Sequence, residues 1–545
     1  MRLMAVLMSG LVVAAPLPAS AMQADIDGTL ANIFAPWTAG QVPGCVVGIS
    51  SDGSPSVTRA FGMADIGNVI PNRPDTRFEA GSVSKQFVAA AILMLVEQGR
   101  LSLDDDIRKY LPEVPDYGRL ITVDQLLDHT SGLRDWGFAM EIAGWPRTTR
   151  AYANNDVLAF VARQTRLNHA PGADYSYTNT GYVLLAIILE RVTGNSLADF
   201  TRIHLFEPLG MRFTGWRTDF RTIERNRAIA YIETPAGNVE RMPFENVYGD
   251  AGLLTTVGDL LIWNDALAAG RLGAFVGKAM AANAHLADGR TLTYARGLNV
   301  PIDAAIPEIS HGGAIGGYRA WLARFPSKRL SIALLCNAGE ALGVGRGAKL
   351  GRAVADALLG IAPAAAPTRA DRSAARHEGL FVSEKTGLPL ILVSDARGLA
   401  RDDGTRLVRE ASGHYAMQGS RISFDGADML RRDDPDGTTD IYRRHAIDRA
   451  GGDRAALSGI YASDELQARY RVVPRPGGLR LQLVDRPDHV FDVEPLYRDA
   501  WLFDTRLGKR TGIVRFVRDA SGAVISLSIG WDARVRAAVF ERIAD

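Results

Sequence analysis

Cysteine and lysine are both scarce in this chain of 545 residues, with two cysteines, Cys45 and Cys336, and seven lysines among 62 basic residues. Two cysteines supply at most one disulfide. Each lies in an apolar, strand-like run, so composition favours two buried thiols, although export would permit a bond. No cluster of His, Cys, Asp and Glu has metal-ligand spacing, and neither metal nor cofactor is expected. An excess of charge of one sign is also absent: the formal net charge of +1 leaves no electrostatic footprint for nucleic acid or an anionic membrane. Small neutral or zwitterionic partners fit better. Past the N-terminus no apolar run is long enough to cross a bilayer, so no stable membrane insertion is expected.

What is present begins with Arg2, an apolar stretch from Leu3 to Leu17 and the small residues Ala19-Ser20-Ala21. That is the build of a secretory signal peptide over residues 1–21, with Pro16 and Pro18 interrupting the run in a way that disfavours an anchor. The expected location is the periplasm or the exterior, with the mature chain starting at Met22. At 47% hydrophobic and 23% charged, the remainder is globular and long enough for two or three domains.

The stretch from Phe78 to Gly99 carries the chemistry. Ser82 and Lys85 stand three residues apart at a predicted helix start, where Phe87 to Val96 supply strong helix formers and Gly99 a stop. Hydroxyl and amine then share one face, and the helix N-terminus favours developing negative charge. A lysine accepts the serine proton only when neutral, a form that an apolar helix behind it favours by excluding water. With 26 serines and seven lysines, chance alone yields such a pair about a third of the time, so the rest of the chain has to decide. Pro171 to Gly181 is turn-rich and runs into a predicted helix from Tyr182 to Val192 ended by Gly194, which places Tyr177 and Asn179 on a braced loop. Tyr177 is suited to relaying a proton and Asn179 to orienting a substrate amide. Further on, His311-Gly312-Gly313 precedes strand patterns at Tyr318–Phe325 and Leu330–Cys336, as if backbone had to approach a ligand closely.

An Ala- and Pro-rich linker is predicted at 362–372. Beyond it helix signals fade and two segments of similar plan follow, 373–447 and 455–545. Gly379-Leu380-Phe381-Val382-Ser383 opens one and Gly459-Ile460-Tyr461-Ala462-Ser463 the other, and Tyr442-Arg443-Arg444 and Phe540-Glu541-Arg542 close them. Two small antiparallel up-and-down β-barrels are expected.

Taken in order, Ser82-Val83-Ser84-Lys85, Leu126 to Leu133 (Leu-Leu-Asp-His-Thr-Ser-Gly-Leu), Tyr177-Thr178-Asn179 and His311-Gly312-Gly313 resemble the serine beta-lactamase and penicillin-binding-protein superfamily on its class C side. The resemblance covers about residues 23–361 and implies an α/β (α+β) domain over 22–361, with an antiparallel sheet flanked by helices. It also implies an acyl-enzyme made on Ser82, with Lys85 and Tyr177 moving protons. Asn179, His311 and Gly313 would meet the substrate, and the N–H groups of Ser82 and Ala314 would form the oxyanion hole. Most members that bind a substrate carboxylate have Lys-Thr-Gly where this chain has His311-Gly312-Gly313, so a terminal carboxylate on the substrate is disfavoured. The literal Lys385-Thr386-Gly387 lies in the first barrel segment and reads as coincidence. A class C-like domain followed by two barrels resembles the bacterial D-aminopeptidases, which implies release of N-terminal D-residues from peptides or amides and a homodimer. Esterase, D,D-peptidase, beta-lactamase and a non-catalytic binder of cell-wall peptides remain as alternatives. Asp488, in the predicted hairpin loop Asp485 to His489, is the expected partner for a substrate ammonium.

Overall fold

A computed structural model describes residues 19–38, 40–51, 56–147, 149–302, 304–340, 346–362, 374–504 and 511–543. Most of the predicted signal peptide, and all of the predicted linker but Ala362, lie outside them.

The first domain is built on a five-stranded antiparallel sheet in the order Ile309–Ile315, Tyr318–Phe325, Leu330–Cys336, Cys45–Ser51, Val57–Phe61. Successive side chains of a strand face opposite ways, and both faces here are apolar. Cys45, Val47 and Ile49 join Leu30, Phe34, Trp321 and Val354 beneath the helices Ala19–Ile33 and Arg346–Leu359. Val46, Leu322, Ala333 and Leu335 join the larger core on the other side, where helix Val257–Ala268 packs. An antiparallel sheet flanked by helices is what the resemblance implies.

Helices and loops inserted between the second and third strands of the chain's sheet form the rest of this domain. At their centre runs helix Lys85–Glu97, buried at every position from Lys85 to Leu93. A helix apolar all round has no solvent face to offer and is forced into the interior, where it packs on helix Asn179–Thr193. That second helix starts earlier than its apolar pattern indicates. Thr178 caps it by accepting from the Thr180 N–H at 3.2 Å, so Asn179 is its first residue rather than part of the preceding loop. The cap is polar and its signal is invisible to hydrophobic periodicity. Gly194 ends the helix at φ 73° as expected.

Two eight-stranded antiparallel sheets follow, both of up-and-down order. The second, from Gly459–Ser463 to Val535–Ile543, is a closed barrel. In the first, from Gly379–Ser383 to Thr439–His445, the outer strand Gly398–Arg401 bridges at Ala400 to Arg406, just ahead of the other outer strand Val408–Arg409. The repeat has a physical basis. Gly379 and Gly459 both take positive φ, 136° and 145°, and over each lies an arginine of the closing strand, Arg444 or Arg542, where a Cβ would intrude. Each arginine donates to the carbonyl preceding its glycine, that of Glu378 or Ser458.

The cysteines correct the sequence reading. Cys45 and Cys336 are direct partners in the register of adjacent strands, with Cα atoms 4.0 Å apart, and form a disulfide. Burial hid this, because an inward-facing cysteine looks alike whether its neighbour is a thiol or not. The bond closes 291 residues and would stabilise the fold by up to about 5 kcal/mol in the chain-entropy account. Thiol titration of unreduced, denatured protein should find no free thiol. Two free thiols would contradict the pairing.

Candidate active site

Ser82 lies in a short 3₁₀ turn, Gly81–Ser84, directly before the Lys85 helix. The turn abuts the edge strand Ile309–Ile315 backbone to backbone. A Cβ on Gly313 would fall 2.0 Å from the Ala80 carbonyl oxygen, and one on Gly81, whose φ is 52°, 2.6 Å from the Ala314 nitrogen. Glycine is required at both positions. Ser310 exchanges hydrogen bonds with Asn299, on the side of the strand away from Tyr318–Phe325. Alternation along an antiparallel ladder then turns the Ala314 N–H the same way, toward the Ser82 turn.

Lys85 is wholly buried. Its Nζ donates to Ser82 Oγ at 3.0 Å, to Asn179 Oδ1 at 2.9 Å and to the Asp250 carbonyl at 2.7 Å. Three oxygens surround the amine nitrogen and fix its position beside Ser82. Asn179 is oriented in turn by Asp135, whose Oδ2 accepts the Asn179 N–H at 2.7 Å while its Oδ1 caps helix Trp136–Ile142. The Tyr177 hydroxyl is buried with no hydrogen-bond partner, and its ring packs at a tilt against His129, 4.2 Å between centroids. Among the described residues it is therefore a polar group at the site with unused bonding capacity.

His311 sits in the edge strand itself rather than in a turn ahead of it. Its Nδ1 lies 2.6 Å from the Gly312 carbonyl, which can only accept, so Nδ1 carries the hydrogen and Nε2 accepts from the Tyr294 hydroxyl at 3.0 Å. Burial, with the nearby Lys85 charge, pushes its pKa down to about 4. The imidazole is neutral at pH 7 and both nitrogens are engaged.

Ser82, Tyr177, Asn179, His311, Gly313 and Ala314 line one cavity of about 450 Å³, with Lys85 beneath them. Asp488 is not brought there. It is exposed, 3.6 Å from Arg486, whose guanidinium stacks on Trp145 and donates to the Gly144 carbonyl. The second barrel does reach the cavity, but through another hairpin: Arg534 lines it, with Cζ 4.8 Å from the Tyr177 ring centre. Nothing in the sequence marks this residue, since its neighbours in space are some 350 to 450 positions away. Lys385 of the Lys-Thr-Gly triplet pins Asp174 at 2.9 Å and stands outside the Ser82 cavity.

The beta-lactamase family model matches residues 29–357. The chain belongs to the beta-lactamase family. Over 509 residues, covering 90% of this chain and 95% of the relative, it is 28% identical to a D-aminopeptidase of Cereibacter sphaeroides. A D-aminopeptidase of Brucella canis is also 28% identical, over 90% and 94% of the two chains. In fold it is similar to D-amino acid amidase from Ochrobactrum anthropi, at TM-score 0.54 and 23% identity over 63% of this chain and 98% of that one. An octameric penicillin-binding protein homologue from Pyrococcus abyssi aligns over 95% and 100% at TM-score 0.53 and 19% identity. The protein is a serine hydrolase of this superfamily.

The two glycines of the edge strand separate the close approach from mere strand flexibility. A Cβ on Gly312 would meet nothing nearer than the Ala320 carbonyl oxygen at 3.8 Å. Gly313→Ala is therefore expected to lower kcat by at least about a hundredfold by displacing a backbone donor, and Gly312→Ala to change it by less than about threefold. Equal effects in steady-state assays would refute the backbone argument.

Proposed function

We propose that the protein is an aminopeptidase that releases N-terminal D-amino acids from peptides or amides. The observation that carries this reading is the extent of the likeness: the D-aminopeptidase of C. sphaeroides matches through the first domain and on through the barrels, over 90% of this chain. In the proposed cycle Ser82 Oγ attacks the carbonyl carbon of the scissile amide. Its proton passes into the Lys85–Tyr177 pair, and the oxyanion is held by the N–H groups of Ser82 and Ala314. The pair returns the proton to the departing amine as the C–N bond breaks. A water molecule then repeats the sequence on the ester, giving back its proton to Ser82.

The test is a panel of D-alanine p-nitroanilide, a p-nitrophenyl ester and nitrocefin, with Ser82→Ala and Tyr177→Phe as controls. Turnover of the anilide is expected, abolished in Ser82→Ala and reduced about 10²- to 10⁴-fold in Tyr177→Phe. Hydrolysis of the ester or nitrocefin alone would replace the reading by esterase or beta-lactamase. Silence on all three, with no labelling of Ser82 by a fluorophosphonate, would favour a binder of cell-wall peptides.

Export and a homodimeric state belong to the same proposal, the first supported by the leader sequence and the second by the resemblance. Sequencing of the periplasmic protein should begin at Met22, and light scattering should give twice the chain mass. Recovery of Met1 from the cytoplasm would overturn export, and a monomer would overturn the dimer.

A further inference from the structure

We infer that Arg534 of the second barrel binds a carboxylate on the leaving side of the substrate, so that the preferred substrates are short peptides with a free C-terminus. The inference rests on the aminopeptidase reading for the identity of the substrate, and on its own geometry for the site.

The tip of the hairpin that carries Arg534 is fixed by its backbone. The Ala533 carbonyl accepts from Ser176 Oγ at 2.9 Å, and the Arg534 carbonyl accepts from the Asp135 N–H at 3.1 Å and Asn168 Nδ2 at 2.9 Å. The side chain is thereby delivered into the cleft with its flat group stacked on Tyr177 and, at 5.2 Å, on Phe138. Among the described residues the guanidinium makes no ion pair and no hydrogen bond. The carboxylates that act on it are those of Asp532 and Asp135. Those of Asp135 are committed to the N–H groups of Gly137, Phe138 and Asn179, and Asp532 Oδ1 accepts the Ala533 N–H at 2.6 Å.

A stacked guanidinium presents its five donors in a plane along its edge, the geometry that pairs bidentately with a carboxylate. The Asp532 and Asp135 carboxylates offset the cost of burying its charge, but neither is bonded to its N–H groups, so those donors are open to an incoming anion. Position limits that anion. Lys85 Nζ is 5.1 Å from the Tyr177 ring centre and Arg534 Cζ is 4.8 Å from it, so these two atoms are at most about 10 Å apart. Lys85 Nζ is 3.0 Å from Ser82 Oγ. A chain spans at most ~3.5 Å per residue, so a leaving group of one or two residues brings its carboxylate from the scissile bond to Arg534. The edge strand cannot supply this cation, because His311 is neutral there.

The test uses Ser82→Ala protein, which binds without turnover, and calorimetry with D-alanyl-glycine and its C-terminal amide. The free acid is expected to bind about 10- to 100-fold more tightly, and Arg534→Gln in the same background should erase the difference. Because the anchors are backbone carbonyls, this substitution leaves the hairpin in place, and an unchanged melting temperature checks that. Equal affinity for acid and amide, a preference that survives Arg534→Gln, or binding of neither ligand would each overturn the inference. In the active enzyme, Arg534→Gln should lower kcat/KM for the dipeptide at least tenfold relative to the p-nitroanilide. A uniform loss would mean that Arg534 only supports Tyr177. Binding discrimination without any D-peptide turnover would leave the carboxylate site standing and sink the aminopeptidase reading. Turnover without discrimination would do the reverse.

Discussion

The approach of two stretches of bare backbone, the Ser82 turn and the edge strand Ile309–Ile315, is the constraint on which the rest of the structure depends. An oxyanion hole made of main-chain donors can be no better placed than the backbones that carry them. The nucleophile comes from a helix entry and its facing donor from a sheet edge, two elements more than 200 residues apart in sequence. The sheet fixes one through its ladder and its two covering layers of helices. The other is fixed by the Lys85 helix, which is sealed in the interior and cannot slide.

Buried charge sharpens that placement. Glu79, three residues before Ser82, is fully buried and receives Arg217 bidentately, at 3.1 and 3.2 Å, with Arg227 beside it. Breaking such a pair strands a desolvated charge, at a typical cost of about 3–5 kcal/mol. The strand entering the nucleophile turn therefore has one admissible position. The same logic runs through Asp135, which caps a helix, positions Asn179 and meets the second barrel through its own N–H. A single acidic residue thereby links the amide-orienting side chain to the wall of the cleft.

Much of this was legible in the sequence because it is local. Ser82 and Lys85 share a helical turn, Tyr177 and Asn179 a cap, and His311 to Ala314 a strand, and each group is recognisable by spacing. The barrels were legible because the same glycine and arginine, Gly379 with Arg444 and Gly459 with Arg542, recur at the opening and closing of each. What failed was non-local. The Cys45–Cys336 pairing needs the order of strands across the sheet, which no run of residues contains. Arg534 needs the docking of one domain on another, and without it the sequence reading falls on a charged loop elsewhere in the same barrel, around Asp488. Asp135 was nearer to hand, two residues after the Leu126 to Leu133 motif, but its roles are to backbone N–H groups that the sequence does not display.

Asp174 binds Lys385 of the first barrel and Arg536 of the second, at 2.9 and 2.8 Å, from a buried position in the first domain. Burial alone would raise its pKa, and the two cations more than offset this. A carboxylate shared by three domains makes them thermodynamically interdependent. Detaching either barrel leaves the other's cation facing a site whose charge balance has changed, so the domains resemble one cooperative body more than modules on a string. Substitutions in one barrel can then be compensated in the other without passing through the catalytic groups, which gives this architecture room to vary its outer walls while the chemistry at Ser82 stays fixed.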